Sequence, residues 1–422
     1  MFENIIEQGA VLQLQNDIIN SRIAPSMLFY GPAESGKCSA ALELARVLSC
    51  DNKGEWKCAC PHCEQHRYLQ NEDLLILGQR SFSAEIQACY SAFKRNPSSA
   101  GSKLLFFRSI RKLQIRFSPV LMEDDPKYSK IGSILQSLDE GLNEFSETSC
   151  ASLIKNAAAL ENEGFSSTIP IAHIRSASSW CRLAPAGKRK TLIIENADNM
   201  RDEARNSLLK LLEEPPSSVS IVLTAKRRET IMPTILSRLR PYRFLKRDAK
   251  SEKEVIRRVF QDEGENLNKY LESFMPQSTE KLYPLAAFFI VSLARIVSVS
   301  IKKKDPAAVP LIFNVLGEYC APIAEKSGFD KSLKSAVIIK TILSQSSNFE
   351  DGSFPRFSKI VLEMIGSAQR AKHDSGFIAY NDIFNKYINE AVNSIEILNI
   401  NTAIVIESLF YNLKKALRGQ YG

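Results

Sequence analysis

The chain has 422 residues, 44% hydrophobic and 24% charged, with a formal net charge of +8. That length exceeds one ordinary core and suits two or three domains, and the balance is that of a soluble globular protein rather than a disordered or fibrous one. The mild basic excess fits a polyanionic partner such as nucleic acid, or simply a solvated surface rich in Lys and Arg.

No early segment reads as a signal peptide, because Glu3, Asn4, Glu7 and Gln8 interrupt the first apolar residues. The longest apolar stretch, residues 284–299, contains Arg295. It is shorter than the ~20 residues that span a bilayer, so a buried helix is expected. Nine cysteines, four of them between Cys50 and Cys63, point to reduced thiols or a metal site in a cytoplasmic protein.

Residues 1–50 read as helix, strand, glycine loop, helix. The strand is Met27-Leu-Phe-Tyr30, and the following helix carries Ala41, Leu44, Ala45 and Leu48 on one face. The cysteine cluster and a short apolar run, residues 74–77, come next. Residues 79–168 are more polar and are read as a helical insertion. Their basic segment, residues 108–116, could touch DNA or form a solvated amphipathic helix. Strand, helix and strand then follow at residues 190–194, 202–214 and 219–224, the helix stopped by Pro215-Pro216. Strands alternating with helices imply a parallel sheet covered on both faces. After Phe244 the pattern is all-helical.

Gly31-Pro-Ala-Glu-Ser-Gly36-Lys37-Cys38 matches the phosphate-loop pattern except at its last position. The glycines let backbone N–H groups wrap a phosphate, and Lys37 neutralises it at a helix N-terminus. Cys38 stands where a hydroxyl normally ligates Mg²⁺, and a thiol is a poor ligand for that hard cation. The second strand ends in Glu195-Asn196-Ala-Asp198, where ATPases of this type carry Asp-Glu. Glu195 could replace the metal-binding aspartate, but neutral Asn196 cannot accept a proton. Loss of a general base costs ~10²–10⁴ in rate, so slow or absent hydrolysis is expected. The alternative is that Asp198 moves in as the acid.

These segments resemble the bacterial DNA polymerase III clamp-loader family, and within it the delta-prime type. The similarity runs over residues 1–75 and 169–245, and the helical remainder follows only in outline. It rests on the opening Phe2-Glu-Asn-Ile-Ile-Glu-Gln8, the phosphate loop, the cysteines, Ile169-Pro-Ile-Ala-His-Ile-Arg175, the helix ending Leu-Glu-Glu-Pro-Pro216, and Ser237-Arg238-Leu239. The resemblance implies a RecA-like AAA+ P-loop domain over residues 1–245, a helical lid over 246–284 and a helical collar over 285–422. It makes Arg238 an arginine finger for ATP on a neighbouring subunit. It makes Gly31, Ser35, Gly36, Lys37, Cys38, Glu195 and Thr224 the chain's own nucleotide site, with Thr224 as polar sensor or core-edge threonine. No second sensor arginine stands out in residues 246–284.

Cys50, Cys58, Cys60 and Cys63 can close a tetrahedral structural zinc site within residues 50–66. The tight Cys58-x-Cys60 step leaves His62 or His66 as a substitute ligand. Cys89, Cys150, Cys181 and Cys320 are expected to pack as small apolar residues. The helix over residues 403–417 has one-faced apolar spacing that suits a partner or the bundle's own core.

The implied function is a clamp-loader subunit of the polymerase III holoenzyme. Its partners would be gamma/tau-type and delta-type subunits, the sliding clamp and primer–template DNA. ATP with Mg²⁺ is expected to be hydrolysed poorly. The alternatives are a gamma/tau-type ATPase motor and an unrelated zinc- and nucleotide-binding regulator.

Overall fold

The computed structural model describes residues 1–78, 80–123, 125–165, 168–274, 278–303, 310–325, 334–345, 354–371, 377–396 and 400–419. The chain forms two compact units, Met1–Met275 and Pro276–Gly422.

The first unit is built on a five-stranded sheet. Its strands are Ser26–Tyr30 (β1), Leu74–Leu77 (β2), Lys190–Ile194 (β3), Val219–Ala225 (β4) and Arg240–Arg243 (β5). Their order is β2-β3-β4-β1-β5, and every pairing is parallel. This fits the α/β, AAA+-like expectation. The inner strands are apolar almost throughout, as a sheet buried on both faces requires. Alternate residues feed two cores. Met27, Phe29, Ile76, Ile193 and Val222 face one, and Leu28, Leu75, Leu192, Ile221 and Leu223 face the other. β5 reads Arg-Pro-Tyr-Arg and lies at the edge, where a proline costs no ladder bond.

Between β2 and β3 the chain makes the helices Ser83–Arg95, Ala100–Gln114, Tyr128–Asn143 and Cys150–Gly164, with shorter turns between them. They pack on the second core through Phe93, Phe106, Phe107 and Phe145. The expected basic segment 108–116 is not a solvated face. Each of its residues is buried or half-buried. After β5 come the helices Ala249–Val255 and Leu267–Ser273, joined through a π-helical turn, Ile256–Phe260.

The second unit is all-helical among its described residues and packs around Ser278–Lys302. The apolar window of this helix is 78% buried, as expected for a core helix, although it is long and apolar enough to cross a membrane. The expected boundary between residues 284 and 285 lies within it. In Thr402–Gly419, Ile406, Leu409, Phe410, Leu413 and Leu417 are buried in the unit's core, whereas Ile404 is exposed.

Candidate nucleotide site and cysteine cluster

Because β1, β3 and β4 are parallel neighbours in register, the loops after them share one rim of the sheet. Such carboxyl-end rims are where open α/β sheets bind ligands. The loop after β1 enters the helix Lys37–Ser49 through Gly36, whose φ of +95° is strained for any residue with a Cβ. Gly31 is fixed by close approach, since a Cβ there would lie 2.1 Å from the carbonyl oxygen of Phe244. Lys37 Nζ donates to the Gly31 and Pro32 carbonyls at 2.6 and 2.5 Å. Ser35 Oγ donates to Pro32 O at 2.8 Å, so this hydroxyl shapes the loop. Burial lowers the Lys37 pKa, against the raising pull of Glu34, Glu195 and Asp198. Burial, and then Glu195, raise the Cys38 pKa, which leaves a neutral thiol beside the loop.

Glu195, just past the end of β3, is buried and ion-paired. Arg116 Nη2 donates to Oε2, and Arg80 Nε lies 3.3 Å from Oε1. Arg80 also pairs with Glu85 at 2.5 Å, and Lys112 pairs with Glu85 at the same distance. Burial alone would push the Glu195 carboxyl up, but Arg80 and then Arg116 outweigh it and hold it below the usual value. All three cations come from the segment read as an insertion. The basic run was visible in the sequence, but its target was not.

Asn196 has φ +53° and ψ +53°, a left-handed conformation that asparagine tolerates better than most residues. Its backbone N–H donates to Thr224 Oγ1 at 3.1 Å, so Thr224 ties β4 to the turn after β3. Asp198 keeps one buried carboxylate oxygen without a hydrogen-bond partner. An arginine of the lid region does reach the loop. Arg247, ahead of the first lid helix, donates through Nη1 to Glu34 O, and its Nη2 lies 2.7 Å from where a Cβ on Gly36 would stand.

Arg238 lies elsewhere. It precedes β5, whereas Gly31 follows β1, and the two strands are parallel with Met27 opposite Arg240 and Tyr30 opposite Arg243. The finger candidate and the phosphate loop are therefore at opposite ends of the sheet. At ~3.3 Å per residue, the strand alone separates them by roughly 13 Å. Arg238 is half-exposed and pairs with Glu213 Oε1 at 2.7 Å, while its Nη1 donates to Thr234 O.

The sulfurs of Cys50, Cys58, Cys60 and Cys63 lie within 4.8 Å of one another. Cys50 Sγ is 3.6 Å from Cys58 Sγ and 3.9 Å from Cys60 Sγ. A tetrahedral site with Zn–S bonds of ~2.3 Å spaces its sulfurs by about 3.8 Å, so this donor set fits zinc. The tight Cys58-x-Cys60 step is accommodated, and neither His62 nor His66 belongs to the group. Arg46, buried, donates to Cys63 Sγ at 2.9 Å and to the carbonyls of Gly54 and Glu55, and pairs with Glu43. It thereby anchors the module to the helix after the phosphate loop, as outer-shell partners of a metal site do. Arg108 donates to the carbonyls of His66 and Arg67, and Arg111 to that of Tyr68, capping the C-terminus of the helix Pro61–Tyr68.

A Mg²⁺ ion, which active ATPases of this type place beside the phosphate loop, does not fit these residues. The hydroxyl ligand is replaced by the half-buried thiol of Cys38, and both Glu195 oxygens face guanidinium groups.

A family model described as DNA polymerase III, delta subunit, matches residues 6–121 and 144–248, more than half of the chain. Most of the segment 79–168 lies inside that match. Comparison with curated proteins gives no match. Among solved structures the chain is similar to a DNA polymerase III gamma subunit-related protein from Thermotoga maritima. Identity is 13% over 97% of this chain and 100% of that one, at a TM-score of 0.40.

Proposed function

The chain belongs to the DNA polymerase III delta-subunit family, and from that premise we propose that it is a delta-prime-type subunit of the clamp loader. In this reading it joins gamma/tau-type and delta-type subunits in the cytoplasm. The assembly opens a sliding clamp and leaves it on primer–template DNA, touching DNA mainly through phosphates. Its domains are a P-loop domain over residues 1–245, a lid over 246–284 and a collar over 285–422.

The chain's catalytic contribution goes to its neighbour. Arg238 presents a guanidinium to the γ-phosphate of ATP held by the adjacent subunit, an interaction that contributes ~10³–10⁵ in rate. The observation carrying this is the placement of Arg238 at the end of the sheet away from the chain's own phosphate loop. The chain's own loop, through Gly31, Ser35, Gly36, Lys37, Cys38 and Thr224, holds nucleotide and turns it over poorly, because Asn196 cannot serve as a base. Zinc bound by Cys50, Cys58, Cys60 and Cys63 is structural, a full ligand set leaving no open position.

The test is Arg238→Ala in a reconstituted loader. DNA-stimulated ATP hydrolysis by the whole complex should fall steeply, and an unchanged rate removes the assignment. Clear steady-state hydrolysis by the purified chain alone would favour the gamma/tau-type motor instead.

A further inference from the structure

We propose that the phosphate loop of this chain binds the triphosphate of a nucleotide without a divalent cation, with Arg80 and Arg116 holding positive charge where a metal would act. The proposal rests on reading residues 31–38 as a phosphate loop, and it concerns the ligand form that loop accepts.

Mg²⁺ demands hard oxygen ligands in near-octahedral geometry and is usually held by one or two carboxylates plus phosphates. Glu195 is occupied on both oxygens by guanidinium groups, and the side chains of Arg116 and Glu195 are only 1% and 8% exposed. To ligate a metal, Glu195 would have to share its one negative charge between the ion and two arginines, or release one of them. The incoming ion would sit beside two guanidinium cations, a repulsive arrangement in a poorly solvated site.

The arginines are also fixed in place. Arg116 Nε donates to Gly78 O at 3.1 Å, and Nη1 donates to Lys112 O. The two guanidinium carbons lie 4.2 Å (Arg80) and 4.5 Å (Arg116) from the ring centroid of buried Phe82. Such cation–π contacts further disfavour their release. Within this network Arg80, Lys112 and Arg116 outnumber Glu85 and Glu195 by one. Lys37, on the phosphate loop itself, adds a further cation, which Glu34, Glu195 and Asp198 act on. A preorganised, partly dry cationic site suits a polyanion and needs no metal to offset its charge.

The experiment is calorimetric titration of the full chain with ATP, once in Mg²⁺-free buffer without chelator, so that the cysteine site keeps its zinc, and once in excess Mg²⁺. Equal affinities, within about twofold, are expected; Mg²⁺-dependent tightening of about tenfold or more overturns the proposal. That outcome would mean that Asp198, with its unpartnered oxygen, supplies the metal ligand, and the phosphate-loop reading would survive. No binding under either condition overturns the phosphate-loop reading as well. Lys37→Ala should abolish the metal-free binding, and retained binding would place ATP elsewhere and sink the proposal. Arg80→Ala should weaken metal-free binding by about tenfold, with no rescue by Mg²⁺; affinity equal to that of the unaltered chain would also overturn it.

Discussion

Arg116→Ala tests whether the buried network around Glu195 has the arrangement described. The substitution removes the donor to Glu195 Oε2 together with the bonds to Gly78 O and Lys112 O. Breaking a buried ion pair by deleting one partner typically costs ~3–5 kcal/mol, because the remaining charge is left uncompensated. Here Arg80 still faces Glu195 Oε1, so the lower end, about 3 kcal/mol, is expected. For a cooperative unit of this size that corresponds to a melting-temperature drop of roughly 6–12 °C. The pH dependence supplies a second readout. Glu195 has a folded pKa below its unfolded one, so on acidification the unfolded chain takes up its proton first. Its stabilisation is complete above the ordinary carboxylate range and is lost as pH falls through the folded value. In Arg116→Ala this acid-labile part should shrink. Calorimetric melts of both proteins between neutral and acidic pH measure both effects. A drop under about 2 °C, with an unaltered acid limb, would refute the buried pair.

Thr224→Val should leave the Asn196 N–H without its acceptor and cost ~1–3 kcal/mol in urea unfolding; a neutral result would show that the hydroxyl does not hold the turn after β3. Arg108→Ala should destabilise the cysteine module, by ~1.5–3 kcal/mol, through loss of the His66 and Arg67 carbonyl caps. DNA affinity should stay unchanged in that variant, and a marked loss would restore the basic segment as a DNA contact. Metal analysis of the purified chain should find about one zinc per molecule, removable by chelator with loss of stability. Cys58→Ser should lower that content, and full zinc retention in the variant would point to a different ligand set.

Several features were legible in the sequence because their information is local. The β1–glycine loop–helix unit declares itself in seven or eight consecutive residues, and the four cysteines fall within one short segment. Proline ends the helix before β4, and alternating strands and helices imply the parallel sheet. Even the departures at Cys38 and Asn196 could be read as chemistry, although the left-handed backbone that suits asparagine at position 196 showed only in the fold. What tertiary structure alone decided is which distant charges meet. Arg116 and Glu195 are 79 residues apart, and Arg238 is paired with Glu213 across 25. Helical spacing shows which face of a segment is basic, but a buried face looks the same as a solvated one until its partner element is placed against it. Packing residues 80–121 beside β2 and β3 turned an apparent surface stripe into the counter-charge of Glu195. Parallel strand order likewise placed Arg238 at the end of the sheet its own phosphate loop does not occupy, a separation that no spacing along the chain encodes.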